Sequence, residues 1–176
     1  MSRITHNRIS TATRLGRLGL AALVAGAVFV SLPADDADAR PRSSSEVVAG
    51  EAARALDALE SWELTHDPVD YVRFVQARDV AASITATELQ IEAAQLGEDW
   101  AAVSSEKQRA VLAALSQLGV PYRNLESQPG VGFDCSGLTI WAFEQAGVEV
   151  PRNSGDQFDA STEIELDEAE VGDLVY

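Results

Sequence analysis

The first 39 residues have the three-part pattern of a secretory signal peptide, so they do not contribute to a folded core. Four arginines precede an uncharged stretch of seventeen residues at 18–34, and the small-residue site Ala37-Asp38-Ala39 follows it. An uncleaved membrane anchor is the alternative, because the stretch lies at the lower end of the roughly 17–25 residues that span a bilayer. We expect cleavage near Ala39, secretion, and a folded part of ordinary domain size built from the remaining residues.

The sequence contains one cysteine and two histidines, which excludes several scaffolds and kinds of site. A single cysteine provides no internal disulfide framework in an exported protein, and it excludes zinc sites built on cysteine clusters. The net charge of −15 disfavours binding to the phosphates of nucleic acids. A basic amphipathic stretch for anionic membranes is also lacking. We expect no metal site, no nucleic-acid partner and no stable membrane anchor after signal cleavage, and the oligomeric state is left open.

A short linker and a helical segment follow the signal. Residues 40–45 are polar and contain one proline and three serines, which is typical of a flexible linker. Residues 46–96 are predicted to form a helical arm or hairpin. Asp67 and Pro68 are predicted to start its second helix as the N-cap and the first helical residue, and Gly97 to end it. One face of the first helix carries Val48, Ala52, Leu56 and Leu59.

Two further helices are predicted in the second half of the chain, joined by a loop over residues 120–133. The sequence Ser105-x-x-Gln108 is a capping-box pattern for the first of them. The second begins near Cys135 and runs to about Ala146, with apolar residues on more than one side. This distribution predicts a largely buried helix.

The residues beyond these helices are predicted to form turns and one strand. Residues 151–158 are polar and turn-rich. The pair Gly172-Asp173 is a turn signal before the apolar run 174–176, which predicts a strand that begins at Leu174.

The stretch Asp134-Cys135-Ser136-Gly137-Leu138 joins the glycine-containing loop to the buried helix. It therefore places Cys135 at a helix N-terminus, where the helix dipole and free backbone N–H groups favour a thiolate. A thiolate is a strong nucleophile, and nearby N–H groups can bind the oxyanion of a tetrahedral intermediate. Gly137 allows another backbone or a substrate to approach closely. A buried structural cysteine is the alternative, and it is the usual role of a lone cysteine.

Four segments resemble successive motifs of the NlpC/P60 family, in the same order. They are Leu118 to Arg123, Phe133 to Leu138, Val150 to Ser154 with Gln157, and Val171 to Val175. Single motifs of this length are weak signals, whereas four in the right order and spacing are specific. The resemblance implies a papain-like α+β domain over residues 106–176, in which the cysteine helix packs on a small antiparallel sheet.

The resemblance also implies an activity and a set of site residues. Members of the family hydrolyse peptide bonds in peptidoglycan stem peptides, commonly D-glutamyl–diaminopimelate, without a metal or organic cofactor, which implies a secreted or cell-wall-associated protein. Cys135 is expected to form an acyl-enzyme. Tyr122 and Ser136 are expected on the substrate and oxyanion side, although Tyr122 also fits a packing role and Asp134 and Ser136 fit capping of the helix. Arg152 could bind substrate carboxylates with both ends of its guanidinium group, but a surface or structural salt bridge is the expected role.

The sequence departs from the family pattern in two places. The catalytic histidine of the family lies downstream of the Gly-Asp motif, and no histidine follows Cys135 here. We therefore expect a C-terminally truncated chain that has only the helical half of the domain and little or no activity; His66 is expected to be an ordinary helix-end residue. In addition, residues 124–127 replace a Trp-Gly-Gly-like segment.

Two other functions are consistent with these residues. The first is a non-catalytic cell-wall-binding or regulatory protein with a degenerate domain, in which the acidic arm makes the interaction. The second is an amidase or acyltransferase on the same fold. The arm itself is either a spacer or a cover over the cleft that restricts access, because its apolar stripe needs a surface to pack on.

Overall fold

The computed structural model describes residues 4–6 and 42–176, most of which are helical. The helices are α1 Ser44–Thr65, α2 Pro68–Leu89, α3 Ala93–Ala102, α4 Ser105–Ser116, α5 Cys135–Gln145 and α6 Ser154–Ala160. The strands are β1 Ile4–His6, β2 Ser127–Gln128, β3 Gly132–Phe133, β4 Thr162–Glu163 and β5 Leu174–Val175, and a 3-10 turn covers Leu166–Glu168. The predicted signal peptide and the start of the predicted linker lie outside the described residues, apart from the backbone of β1.

The strands form two small antiparallel sheets. In one sheet β1 lies between β4 and β5, with Thr5 opposite both Glu163 and Leu174. In the other, β2 and β3 form a hairpin in which Ser127 faces Phe133. The strand predicted at Leu174 is confirmed as β5. A mostly helical chain with a few strands is compatible with part of the α+β domain that the resemblance implies.

Local capping explains the hairpin of α1 and α2. The Ser43 hydroxyl accepts the backbone N–H of Glu46, and the Glu46 carboxylate accepts that of Ser43, so α1 begins with a capping box. The predicted start of α2 is confirmed, since the Asp67 carboxylate accepts the N–H of Val69 at 2.8 Å and Pro68 is the first helical residue. His66 ends α1 in the left-handed conformation, with φ 57°.

The predicted end of α2 at Gly97 is wrong. The helix ends at Leu89, because Gln90 adopts a left-handed conformation with φ 58° and donates its N–H to the carbonyls of the last turn. Gly97 instead lies within α3. A helix interior tolerates a glycine at a cost of about 1 kcal/mol, so a glycine does not by itself mark a helix end.

Two other local predictions also differ from the structure. Helix α4 is capped by Ser104 rather than Ser105, and the Gln108 side chain donates to the carbonyl of Val103 instead of completing a capping box. Part of the predicted turn region forms α6, which Asn153 caps by accepting the N–H of Asp156 at 2.8 Å. The short polar helix depends on its cap and has no apolar periodicity that a sequence pattern could reveal.

Small side chains bring α1 and α2 close together, and the pair then packs on α4. Leu59 of α1 and Leu112 of α4 are almost completely buried. The cluster around them is formed by Ala52, Ala55, Ala58, Phe74, Ala77, Ala81, Ala82 and Trp100. Helix α4 in turn packs against α5. The apolar stripe of α1 is thus packed against α2 and α4. That the arm restricts access to a cleft stays a prediction.

Across residues 42–176, none of the helices has the length and apolar character needed to cross a bilayer.

Candidate active site

Cys135 lies at the point where the β2–β3 hairpin leads into α5. Asp134 is the N-cap of the helix and Cys135 its first residue, so the predicted position of Cys135 at a helix N-terminus is confirmed. Its side chain is exposed and carries a free thiol. Backbone N–H groups in the first turn of a helix have no intrahelical partner, and they lie beside this thiol.

The carboxylate of Asp134 joins the start of α5 to the preceding loop. One oxygen, Oδ1, accepts the backbone N–H of Gly137 at 2.6 Å, and the other, Oδ2, accepts that of Leu125 at 2.9 Å. The backbone N–H of Asp134 also donates to the Glu126 carbonyl at 3.0 Å. We call the loop of residues 122–126 the wall loop. Asp134 therefore fixes the wall loop against the cysteine helix through both its side chain and its backbone.

Arg152 binds the same carboxylate with both ends of its guanidinium group. Nη1 donates to Oδ1 of Asp134 at 3.1 Å and Nη2 donates to Oδ2 at 2.8 Å. This confirms the expected salt bridge of Arg152 and identifies its partner. Mainly through these hydrogen bonds, with further ones from the N–H groups of Gly137 and Leu125, the pKa of Asp134 falls from 3.8 to about 2.

We expect the ionised Asp134 carboxylate to stabilise the folded state, and this stabilisation to be lost at strongly acid pH. Its pKa is lower in the folded than in the unfolded chain, so its contribution is complete above pH 3.8 and is lost as the pH falls through about 2. The melting temperature of the wild type should therefore exceed that of Asp134→Asn most clearly above about pH 4, and the difference should shrink toward pH 2. Thermal unfolding of both proteins across this range is the measurement, and an unchanged difference contradicts the assignment.

Ser136 is buried and its hydroxyl belongs to the same network. Oγ accepts from Nη1 of Arg152 at 2.9 Å and lies 3.3 Å from Oδ1 of Asp134. Its backbone carbonyl accepts from Nε2 of Gln157 at 3.1 Å, which ties α6 to the first turn of α5. The Ser136 side chain thus contributes to the position of the helix, and its backbone N–H is the group left for an oxyanion role.

The wall loop presents two exposed large hydrophobic residues next to the hairpin that leads to Cys135. Tyr122 forms an isolated parallel bridge with Phe133, and its side chain is 71% exposed. Leu125 is 80% exposed and has a φ of 61°, a left-handed conformation that is unusual for a bulky residue. Strained backbone of this kind concentrates at functional sites.

Gly137 meets the wall loop at a distance that no side chain could occupy. A Cβ atom at this position would lie 2.3 Å from the Glu126 carbonyl oxygen and 2.8 Å from Oδ1 of Asp134. The predicted close backbone approach at Gly137 is confirmed. The sequence did not indicate the strained Leu125 or the contact of Gln157 with the helix, since neither has a local signal.

Among residues 42–176, the structure does not bring a histidine to Cys135. His66 lies at the end of α1 and is exposed, as expected for a helix-end histidine. Its ring is tilted relative to that of Trp62, with 6.1 Å between the ring centroids. Within residues 42–176, no group of three or more histidine, cysteine or acidic side chains is arranged to hold a metal ion.

One family model and several known proteins are similar to this chain. The family model of the NlpC/P60 family matches residues 119–176. The bifunctional muramidase/DL-endopeptidase CwlT of Bacillus subtilis (strain 168) is 46% identical over 63 residues, which are 36% of this chain and 19% of CwlT. This chain thus spans less than a fifth of that relative. No solved structure matches the chain.

Two actinobacterial proteins are also similar. A probable endopeptidase of Corynebacterium glutamicum (strain R) is 31% identical over 148 residues, which cover 83% of this chain and 70% of that protein. The peptidoglycan endopeptidase RipB of Mycobacterium tuberculosis (strain ATCC 25618 / H37Rv) is 42% identical over 73 residues, which are 35% of this chain and 30% of RipB. The corynebacterial match extends over most of the chain and so includes much of the helical arm.

Proposed function

This chain belongs to the NlpC/P60 family, and we propose that it is a secreted, cell-wall-associated peptidoglycan endopeptidase with Cys135 as its nucleophile. The observation that carries the proposal is the exposed thiol of Cys135 at the first position of a helix that Asp134 caps. CwlT is named a DL-endopeptidase and RipB a peptidoglycan endopeptidase, and both names support peptidoglycan peptides as the substrate class. We take the domain to be papain-like, with α5 as its cysteine helix.

The proposed reaction is acyl transfer through a thioester. The Cys135 thiolate attacks the carbonyl carbon of a stem-peptide bond, and first-turn N–H groups bind the oxyanion that forms. The amine leaves with a proton from a general acid, and water then releases the acyl group from sulfur. Tyr122 is proposed to contact the substrate, because its polar ring tip stands exposed on the wall loop.

The general base is the part of this mechanism that residues 136–176 do not supply, since they contain no histidine. His66 does not replace it, as it lies at the far end of α1. We therefore propose that the 176 residues alone turn over slowly or not at all. The bond that we propose as the substrate is D-glutamyl–diaminopimelate, in keeping with the name DL-endopeptidase of CwlT.

The first test is cleavage of a purified stem peptide by the protein that its native host secretes. We expect a new amine at diaminopimelate, detected by mass spectrometry, and a loss of about a thousandfold or more in rate for Cys135→Ala. An active Cys135→Ala variant would refute the nucleophile. Cleavage of the sugar–peptide amide with all peptide–peptide bonds intact would favour the amidase instead.

A non-catalytic wall-binding protein is the second candidate, and the lack of a histidine after Cys135 is the observation that favours it. In this case the secreted protein should sediment with purified cell walls and release no product. Binding by Cys135→Ala should then equal that of the wild type.

A further inference from the structure

Arg152 contacts two residues of the candidate site at once, Asp134 and Ser136, although it follows Cys135 by seventeen residues in the sequence. We propose that Arg152 is a positioning residue that holds the Asp134 carboxylate between the cysteine helix and the wall loop and sets the charge around Cys135. The proposal rests on the proposed function only in taking Cys135 as the reactive thiol. It assigns Arg152 no contact with substrate.

The geometry of the pair supports this role. Each carboxylate oxygen of Asp134 receives one guanidinium nitrogen and one backbone N–H, Oδ1 from Gly137 and Oδ2 from Leu125. The planar fork of arginine therefore fixes the rotation of the carboxylate, which in turn orients both backbone donors. A lysine provides a single point charge and cannot bind both oxygens in this way.

The charges around the thiol give the second argument. Asp134 precedes Cys135 directly, and Glu126 lies on the wall loop, whose carbonyl packs on α5. Two carboxylates at this end of α5 repel an anionic reagent that approaches the thiol. Arg152 is the cation that interacts with Asp134, Cys135 and Glu126 together, and these interactions raise the pKa of its own guanidinium. Removal of its charge leaves the two carboxylates to act on the thiol.

The consequence for the wall loop follows from the same contacts. The left-handed backbone of Leu125 is held by the hydrogen bond of its N–H to Oδ2 of Asp134, which is the oxygen that Nη2 of Arg152 binds. A carboxylate that is free to rotate holds this N–H less firmly. Arg152 therefore influences both the nucleophile and the exposed Leu125 side chain through one intermediate residue.

The test compares the alkylation of Cys135 by iodoacetate and by iodoacetamide, which share a leaving group and differ in charge. Because the chain contains one cysteine, the whole alkylation signal reports on Cys135. For Arg152→Gln we expect the ratio of the iodoacetate rate to the iodoacetamide rate to fall about fivefold, as the cation that attracts the anionic reagent is lost. For Arg152→Lys we expect the ratio to stay within about twofold of the wild type, since the charge is retained.

The matched control is Arg73→Gln, which also removes an arginine–aspartate ion pair, with Asp70 at 3.0 Å on α2. It should leave both alkylation rates unchanged. Far-ultraviolet circular dichroism confirms that each variant is folded.

An unchanged reagent ratio in folded Arg152→Gln overturns the proposal. If that variant does not fold, the wild type is measured in buffer and in urea, and a ratio that is no higher in the folded chain overturns it equally. Neither result depends on peptidase activity. Failure of this test therefore leaves the stem-peptide assay to decide the proposed function by itself.

Discussion

Replacing Gly137 with alanine should lower the free energy of unfolding by about 3 kcal/mol, a large effect for the addition of one methyl group. The new Cβ would lie 2.3 Å from the Glu126 carbonyl oxygen. That carbonyl cannot move away alone, because it accepts the backbone N–H of Asp134 at 3.0 Å. The wall loop has to separate from α5, and we also expect slower alkylation of Cys135. Urea unfolding and iodoacetamide kinetics measure the two effects.

Gly50→Ala is the matched control for this substitution. Gly50 is an exposed residue within α1, and a Cβ there has no atom within 4 Å. Alanine should stabilise such a position by about 0.5–1 kcal/mol, because it loses less conformational entropy than glycine on folding. The two substitutions should thus have opposite signs. A stabilising Gly137→Ala would mean that the wall loop does not pack on the cysteine helix as described.

Replacing Lys107 with methionine should also destabilise the fold by about 3 kcal/mol, the range found when one member of a buried ion pair is removed. Nζ of Lys107 lies 2.8 Å from Oδ1 of Asp173 and 3.1 Å from Oε2 of Glu170, and its side chain is 10% exposed. The aliphatic part packs beneath Gly172, where a Cβ would lie 3.2 Å from it. Methionine keeps this packing and removes the ammonium group beside the buried Asp173. Urea unfolding measures the loss.

Two further variants separate the charge from the packing. Glu170→Gln should cost less than about 1 kcal/mol, because the Glu170 side chain is 58% exposed and surface ion pairs contribute little. The double variant of Lys107→Met and Asp173→Asn should recover part of the loss, since it removes both buried charges. A stability of Lys107→Met equal to that of the wild type would show that the ion pair does not hold α4 to the turn before β5.

The parts of the fold that the sequence reveals are those with local causes. Asp67-Pro68 starts α2, Cys135 starts α5, and the turn at Gly172 leads into β5, each because a few neighbouring residues determine the backbone there. Gln90 is the counterexample, since a polar residue in a left-handed conformation has no distinctive pattern around it. A helix end that depends on such a residue is therefore not predictable from local chemistry.

The candidate site shows the same division. The position of Cys135 and the close approach at Gly137 follow from the residues around them. The fork of Arg152 on Asp134 joins segments that are distant in sequence, and the pairing of two such charges depends on how α5 and the next segment fold back. The left-handed Leu125 depends on the same fold, because only the Asp134 carboxylate stabilises it from outside the loop.

The burial of Leu112 bears on which part of this protein shares one hydrophobic core. Leu112 belongs to α4, yet the side chains that cover it include Leu59 of α1, Phe74 of α2 and Trp100 of α3. The segment that the family model matches begins at residue 119, after the end of α4. The hydrophobic cluster that α4 shares with α1, α2 and α3 therefore lies outside the matched segment. Excising the chain at residue 106 would remove nine of the ten residues of this shared cluster and leave Leu112 without them.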